Sequence, residues 1–370
     1  KFDLSDNSLW KVYGTGGKLT QPKNVLNAEN SGTGFYSCTA LASLLNGTSV
    51  MTGDYQICYR PAKPMIDALN NMGAKVVSTR DNGLAPLIIR GPLTGGSAFM
   101  AGHNSQWFSP GILVCASLAE NDSEITIEGE PLEKPYINMT IGMMKEAGLH
   151  VSHDDYKKYH ITGRQKVKAT DFVIPGDWGS SGYPTIATAI TNSTAEFMNL
   201  DKNTYAGEKA YFDILNKAGC KVEYIDGGIR VTGSNKLVGQ TIDCSGTPDA
   251  VPALAVLGCA CKEGKTVLTN IKASRLKETD RTHIIKEELE KMGGIFEEDE
   301  NSLTIYPSKL HGTFIDGHHD HRIVMATSVA ALIAEGPTII DNAEYVGVSY
   351  PEFYEHMKKL GAKIQRLDIV

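Results

Sequence analysis

Long apolar runs are missing from this chain. No stretch approaches the roughly 20 consecutive apolar residues that would carry a helix across a bilayer. No helical stretch carries the basic amphipathic face suited to a membrane surface. Excess positive charge is missing too: 36 Lys and Arg stand against 43 Asp and Glu, giving a net charge of −7 with no basic tail or stripe. That balance argues against nucleic acid as a partner. The first residues, KFDLSDNSLWKVYG, lack the charged-then-apolar layout of a secretory signal. Paired cysteines are absent as well. Cys38, Cys58, Cys115, Cys220, Cys244, Cys259 and Cys261 are scattered, without C-x-x-C spacing, which speaks for a reducing cytoplasm and against a disulfide framework. Cys259 and Cys261 form a C-x-C with no second ligand pair nearby, so buried thiols are expected there rather than zinc. YGTGGKL lacks the full G-x-x-x-x-G-K-[ST] spacing of a phosphate loop and reads as a turn between strands.

What the chain does have is length, an apolar fraction and a repeat. Its 370 residues, 41% hydrophobic, suffice for two domains with a core each. One layout recurs five times: amphipathic helix, glycine, strand, polar turn, strand. The segments are MIDALNNMGAKVVSTRDNGLAPLIIRG, MTIGMMKEAGLHVSHDDYKKYHITG, YFDILNKAGCKVEYIDGGIRVTG, IKEELEKMGGIFEEDENSLTIYP and YEHMKKLGAKIQRLDIV, the last with only its first strand. Apolar residues at i, i+3, i+4 spacing define the helices, and a glycine is expected to cap each one. Those glycines, Gly73, Gly148, Gly219, Gly293 and Gly361, lie 68 to 75 residues apart. A spacing so regular is architecture. Met139, Met143 and Met144 in the second helix are expected to be core filler.

Between these segments recurs a helix rich in small residues, followed by a strand: SGTGFYSCTALASLL, NSQWFSPGILVCASLA, SSGYPTIATAI, TPDAVPALAVLGCA and DHRIVMATSVAALIA. Ser, Thr, Asn, Asp and Gly crowd their starts, as N-caps should. Several helix N-termini facing one way would form an anion-attracting surface in an acidic protein. The same period makes LSDNSLWKVYG the strand-turn-strand tail of a further repeat, whose helix would fall before Lys1.

The strings RLKETDR and DHR, set in such repeats, resemble the 5-enolpyruvylshikimate-3-phosphate synthase family. NAENSGT is similar to the family's N-x-G-N-A-G-T, YRPAKPMIDAL to R-P-I-x-x-L-V-x-A-L, NSQW to S-S-Q-[YF], KPYINMT to K-P-Y-I-D-M-T and GDWGSSGY to G-D-A-S-S-A-S-Y; PDAVPALAV and YPEFYEHMKKLG complete the series in order. The resemblance implies a two-domain inside-out α/β (α+β) barrel fold, pseudo-threefold in each domain. Helices would lie inside and sheets outside, with domains at 1–174 and 175–370 and the ligand cleft between them, closing on ligand.

It also implies a reaction: the enolpyruvyl group of phosphoenolpyruvate moves to a sugar-like hydroxyl of 3-phosphoshikimate, and phosphate leaves. Arginine forks suit a substrate bearing a phosphate and a carboxylate. Arg60, Arg281 and Arg322 match the family's phosphoenolpyruvate-binding arginines, and Gly32 and Gln106 match two further contacts. Asp249 and Glu278 match the carboxylates that divide the acid–base work, with Asp320 and His321 flanking Arg322. Asn104, Ser105, Gln106, Tyr136, Asp249 and Lys277 fall at acceptor-binding positions. Glu278 and Arg281 lie i, i+3, and Lys277 and Arg281 i, i+4, so one helical turn is expected to present all three. No cofactor and no metal are implied, and HHDHR is expected to be an N-capped helix start rather than a metal site. The protein is expected to be a monomer.

Departures from the family pattern are uneven. A family lysine in K-T-F-P is Val348, and the arginine of G-T-A-x-R is Tyr36. The first serine of S-S-Q is Asn104, the serine before K-P-Y is Glu133, and Q-G-D reads AGE from Ala206 to Glu208. A carboxylate at Glu133 is expected to repel an acceptor phosphate. Two other readings stay open: a relative with another acceptor, and a catalytically silent binding or scaffold protein.

Overall fold

The structure, a computed structural model, describes residues 2–6, 8–102 and 104–367. Two compact units divide it: Lys1–Pro131 with Thr140–Asp171, and Leu132–Met139 with Phe172–Val370. The period of the repeats puts the boundary at 174; the structure also gives the second unit Leu132–Met139, so the division falls inside the helix Lys134–Glu146. Long-range bonds account for this. Glu133 N donates to Ser245 O at 3.0 Å, and Pro135 Cγ lies within 3.3 Å of where a side chain on Gly207 or Gly246 would start.

In the second unit three helices built from small and apolar residues, Trp178–Ile190, Val251–Ala260 and His321–Ala330, pack on one another. Every residue of VPALAVLGCA is buried, as an all-round apolar helix requires. Sheets surround this trio. Their strands run in the orders Thr194–Met198, Gly228–Thr232, Lys221–Ile225; then Thr241–Asp243, Thr266–Thr269, Ser302–Tyr306, Ile295–Glu298; then Phe314–Ile315 beside Ile339–Ile340. Alternation along Gly228–Thr232, with Ile229 and Val231 buried and Arg230 exposed, shows a sheet with one dry face. The unit thus keeps its helices inside and its sheets outside.

The first unit repeats the layout. One sheet runs Leu26–Asn27, Thr48–Thr52, Leu87–Arg90, Lys75–Ser78, and another Ser97–Ala101, Ser123–Glu128, Lys158–Ile161, Val151–Asp154. In each, the first two strands are parallel and the rest antiparallel. The leading strands Leu26–Asn27, Ser97–Ala101, Thr241–Asp243 and Phe314–Ile315 have no counterpart in the sequence reading, because two to five residues are too few to show an alternation. LSDNSLWKVYG does form a hairpin, Phe2–Asp6 against Leu9–Val12.

All five punctuating glycines adopt positive φ, from 79° at Gly148 to 101° at Gly361, as C-cap positions demand. One helix expectation and one strand expectation need correction. NSQWFSPGILVCASLA breaks into a 3-10 turn (Ser105–Trp107), a π turn (Ser109–Leu113) and a short α-helix (Val114–Leu118). Pro110 removes a donor there, and Gly111 packs so closely on the helix Gly32–Ser43 that a Cβ would sit 3.0 Å from Ala40 Cβ. The strand expected in AKIQRLDIV is not formed among residues 362–367; Asp368–Val370 lie outside the described residues. All seven cysteines are free, with Cys259 and Cys261 buried. Met144 is buried, but Met143 is exposed, so not every methionine of that helix fills the core.

Candidate active site

The charge at RLKETDR is not displayed on a helical turn. Lys272–Leu276 is a 3-10 helix, Lys277 leaves it with φ −94° and ψ −147°, and the α-helix begins only at Arg281. Asp280 enforces that start by accepting from His283 N at 3.0 Å. Lys277, Glu278 and Arg281 therefore converge through a bend, which corrects the expected single helical face.

Arg281 is buried, and each corner of its guanidinium holds a different carboxylate. Nε donates to Asp320 Oδ2 at 2.8 Å, one terminal nitrogen to Asp249 Oδ1 at 2.8 Å, and the other to Glu278 Oε2. Arg322 reaches the second oxygen of Asp249 at 3.2 Å. Lys277 Nζ lies 3.0 Å from Glu133 Oε1 and 3.7 Å from Asp249 Oδ1. Asp249 is thus shared by three cations. Burial favours its protonated form, but Arg322, Lys277 and Arg281 outweigh that and hold the carboxyl far below the ordinary range. Burial likewise disfavours the Lys277 ammonium, yet Asp249 and Glu133 keep its pKa above the usual lysine value.

The partners of two departures from the family pattern escaped the sequence reading. Glu208, at the mouth of a 3-10 turn, accepts a hydrogen bond from the Tyr136 hydroxyl. Burial, then the nearby Asp249, pushes its carboxyl up to about 7, while Tyr136 and Arg322 act in the opposite sense. Tyr136 is raised in turn, first by burial and then by Glu208 and Asp249. Glu133, expected only as a repulsive charge, is instead the partner of Lys277. His321 is pushed down to about 4, by burial and then by Arg281 and Arg322, so its imidazole is neutral at pH 7.

Glu208 yields a pH prediction. Burial lets the folded chain keep this proton to about pH 7, whereas the unfolded chain releases it near the ordinary glutamate value of 4.5. Its contribution to stability is complete below 4.5 and is lost as the pH rises through about 7. Replacing it by glutamine removes that loss. Relative to the parent chain, Glu208→Gln should gain on the order of 3 kcal/mol between about pH 4 and pH 8 in urea unfolding. A difference between the two proteins that does not change with pH would contradict a buried, protonated Glu208.

The first unit brings together Gly32, Arg60 and Gln106. Arg60 is buried, and its guanidinium lies against Gly32, where any Cβ would collide with it and come within 3.4 Å of Gln106 Oε1. Asn104 and Ser105 are buried, and Asn104 Oδ1 accepts from Gln106 N at 3.0 Å. Tyr36, in place of an arginine, is a packing residue: it is buried and donates its hydroxyl to Pro61 O at 3.0 Å, beside Arg60. Val348 is exposed at the end of the 3-10 segment Ala343–Val348.

Helix N-termini offer less to an anion than expected, because their own caps occupy them. Ser31 accepts from Gly34 N, Asp177 from Gly179 N and Ser180 N, and Asp320 from Arg322 N. Arginine and lysine side chains carry the attraction instead. Among the described residues no group of three or more His, Cys, Asp and Glu side chains could hold a metal ion. In HHDHR, His318 pairs with Glu288 at 2.7 Å and Asp320 caps the helix His321–Ala330.

A two-unit α/β chain with Arg281 buried among carboxylates in its second unit has the makings of one class of protein, enzymes that act on small anions. Comparison with known proteins narrows the class. The profile of EPSP synthase (3-phosphoshikimate 1-carboxyvinyltransferase) matches residues 2–357. The chain is 39% identical over 359 residues to 3-phosphoshikimate 1-carboxyvinyltransferase of Acetivibrio thermocellus, covering 97% of this chain and 84% of that protein. It is 41% identical over 357 residues to the protein of the same name from Methanocella arvoryzae, covering 96% and 84%. An EPSP synthase structure from Acinetobacter baumannii superposes with a TM-score of 0.74 at 27% identity, over 92% of this chain and 79% of that one. The enolpyruvyl transferase NikO from Streptomyces tendae superposes at 0.71 with 19% identity, over 90% and 77%, a likeness of fold alone. The chain belongs to the EPSP synthase family.

Proposed function

We propose that this chain transfers the enolpyruvyl group of phosphoenolpyruvate to a hydroxyl of 3-phosphoshikimate and releases phosphate, as a step of the shikimate pathway. The supporting observation is the buried cluster in which Arg281 and Arg322 share Asp249. Arg281 and Arg322, with Arg60, Gln106 and Gly32, are proposed as ligands of the phosphoenolpyruvate phosphate and carboxylate. Lys277, Tyr136, Asp249, Asn104, Ser105 and Gln106 are proposed for the acceptor.

The chemistry has two halves. The acceptor hydroxyl oxygen bonds to C2 of the enol as its proton leaves and C3 gains one. The C2–O bond to phosphate then breaks while C3 loses a proton, restoring the double bond. Asp249 and Glu278 are proposed to divide these proton movements. The proposal includes a monomer working in the cytoplasm; no helix among the described residues is long and apolar enough to cross a membrane.

Calorimetric titration with phosphoenolpyruvate, then a phosphate-release assay with both substrates, tests the reading. Arg322→Lys keeps a positive charge but loses the planar fork, so phosphoenolpyruvate affinity should fall by about tenfold or more. Undiminished affinity would remove Arg322 from the site. A chain that binds phosphoenolpyruvate without releasing phosphate would favour the silent-scaffold reading.

A further inference from the structure

The helix Arg281–Lys291 buries a second charged side chain, Glu288, outside the arginine cluster. Glu288 lies seven residues beyond Arg281, about two turns on, so both stand on one face of the helix. Both grip the same loop, 316–320. At the loop's end Arg281 Nε donates to Asp320 Oδ2 at 2.8 Å. At its start Glu288 Oε2 accepts from Asp316 N at 3.3 Å, and Glu288 Oε1 lies 2.7 Å from His318 Nε2. The loop needs such ties to keep its path. His318 and His319 have φ 49° and 53°, left-handed backbone that is costly without glycine. Gly317 packs so tightly that a Cβ would come within 2.6 Å of Asp341 O. His318 N donates to Asp316 Oδ1 at 2.8 Å, an oxygen that Asn342 Nδ2 shares at 3.1 Å. From there the chain runs directly into the cluster: Asp320 N donates to Gly317 O, and Asp320 Oδ1 accepts from Arg322 N, each at 2.9 Å.

We propose that the Glu288–His318 contact positions this loop, and through it the Asp320 and Arg322 ends of the arginine cluster. Both residues act at one remove, through the loop backbone, and are positioning residues. The leverage comes from a planar group. The Arg281 guanidinium is rigid, so the direction of its Nε–Asp320 bond fixes the aim of both terminal nitrogens at Asp249 and Glu278. A loop released at His318 lets Asp320 drift, and the plane turns with it. Arg322, held by Asp320 at the helix start, moves off Asp249. Misplacing a binding group by about 1 Å is enough to cost large factors in rate or affinity. Lys291 supplies a comparison within the structure. Its Nζ also lies 2.7 Å from Glu288 Oε1, but it belongs to the helix itself and ties down no part of the loop. That phosphoenolpyruvate affinity registers the positioning rests on the reading of Arg281 and Arg322 as its ligands.

The test compares the parent chain with His318→Ala, His318→Gln and Lys291→Ala, by the NMR signal of the Arg281 Nε–H and by calorimetric titration of phosphoenolpyruvate. Alanine and glutamine both carry a Cβ, so the left-handed backbone at 318 costs about the same in each. Glutamine can still offer Glu288 an amide N–H. His318→Ala should shift or broaden the Nε–H signal and weaken phosphoenolpyruvate by about tenfold, and His318→Gln should recover most of both. Lys291→Ala removes the other cation from the same oxygen; it should leave the signal in place and the affinity within about twofold. His318→Asn favours left-handed backbone but is too short for Glu288, so it should behave as alanine does and decides the matter if the alanine variant does not fold. Equal effects from His318→Ala and Lys291→Ala would mean that Glu288 needs only a counter-charge, which overturns the proposal. An unmoved Nε–H signal in both shortened variants overturns it too. The signal also separates the two levels. A parent chain that binds no phosphoenolpyruvate sinks the enolpyruvyl reading and leaves the Nε–H signal to decide this inference. A moved signal with phosphoenolpyruvate affinity kept upholds the positioning and removes Arg281 from the ligands.

Discussion

Replacing Arg281 by methionine should destabilise the second unit by about 3–5 kcal/mol, a cost typical of removing one partner from a buried ion pair. Methionine fills much of the volume, so the loss reports charge rather than a cavity. The guanidinium is 1% exposed and holds Asp320, Asp249 and Glu278 at once. Asp320, itself 0% exposed, would keep only neutral donors at short range: Thr279 Oγ1 at 3.0 Å and Arg322 N at 2.9 Å. Asp249 fares better, since Arg322 and Lys277 remain. The deficit should narrow as the pH falls into the carboxylate range, because the abandoned groups can then take up protons. Hydrogen exchange in Val251–Ala260 and His321–Ala330, buried helices of that unit, measures the effect locally. A loss below about 1 kcal/mol would mean that water, not Arg281, satisfies these carboxylates.

The parts of this fold legible in the sequence are those governed by local rules. A glycine closing each amphipathic helix is a statement about φ, and all five positions adopt the left-handed backbone it announces. VPALAVLGCA is apolar all round, and it is buried all round. Where a proline and a close helix approach meet, as at Pro110 and Gly111, local propensity loses to packing and the helix breaks. The leading strands escaped because a pair such as Leu26–Asn27 becomes a strand only through its parallel neighbour Thr48–Thr52.

Within the site the division is the same. Family strings located Asp249, Glu278, Arg281 and Arg322, and the structure gathers these residues. The roles of Glu133 and Glu208 were invisible, because each is defined by a partner far away in the chain: Glu133 by Lys277, 144 residues on, and Glu208 by Tyr136, 72 residues back. A departure from a motif announces that something has changed. Only the partner tells what the new residue does.

Asp249→Asn should lower turnover by about a thousandfold, within the range of positioned acid–base groups, without raising the KM for phosphoenolpyruvate. In the free protein Asp249 is a weak base, because Arg322, Lys277 and Arg281 stabilise its ionised form against burial. Phosphoenolpyruvate brings its own carboxylate and phosphate to the proposed arginine ligands. On the proposed assignment, each hydrogen bond that an arginine gives to the substrate would be withdrawn from Asp249, whose proton affinity would then rise. Binding the donor would thus prepare the proposed base, and the proton transfer would be coupled to the presence of phosphoenolpyruvate. Asparagine has the shape but cannot take the proton, so turnover should fall, while Arg281 and Arg322, relieved of a competing carboxylate, should remain available to the anion. Steady-state phosphate release gives both constants, and a thermal midpoint checks that the variant is folded. A large rise in the phosphoenolpyruvate KM with turnover preserved would show instead that Asp249 only orients the arginines.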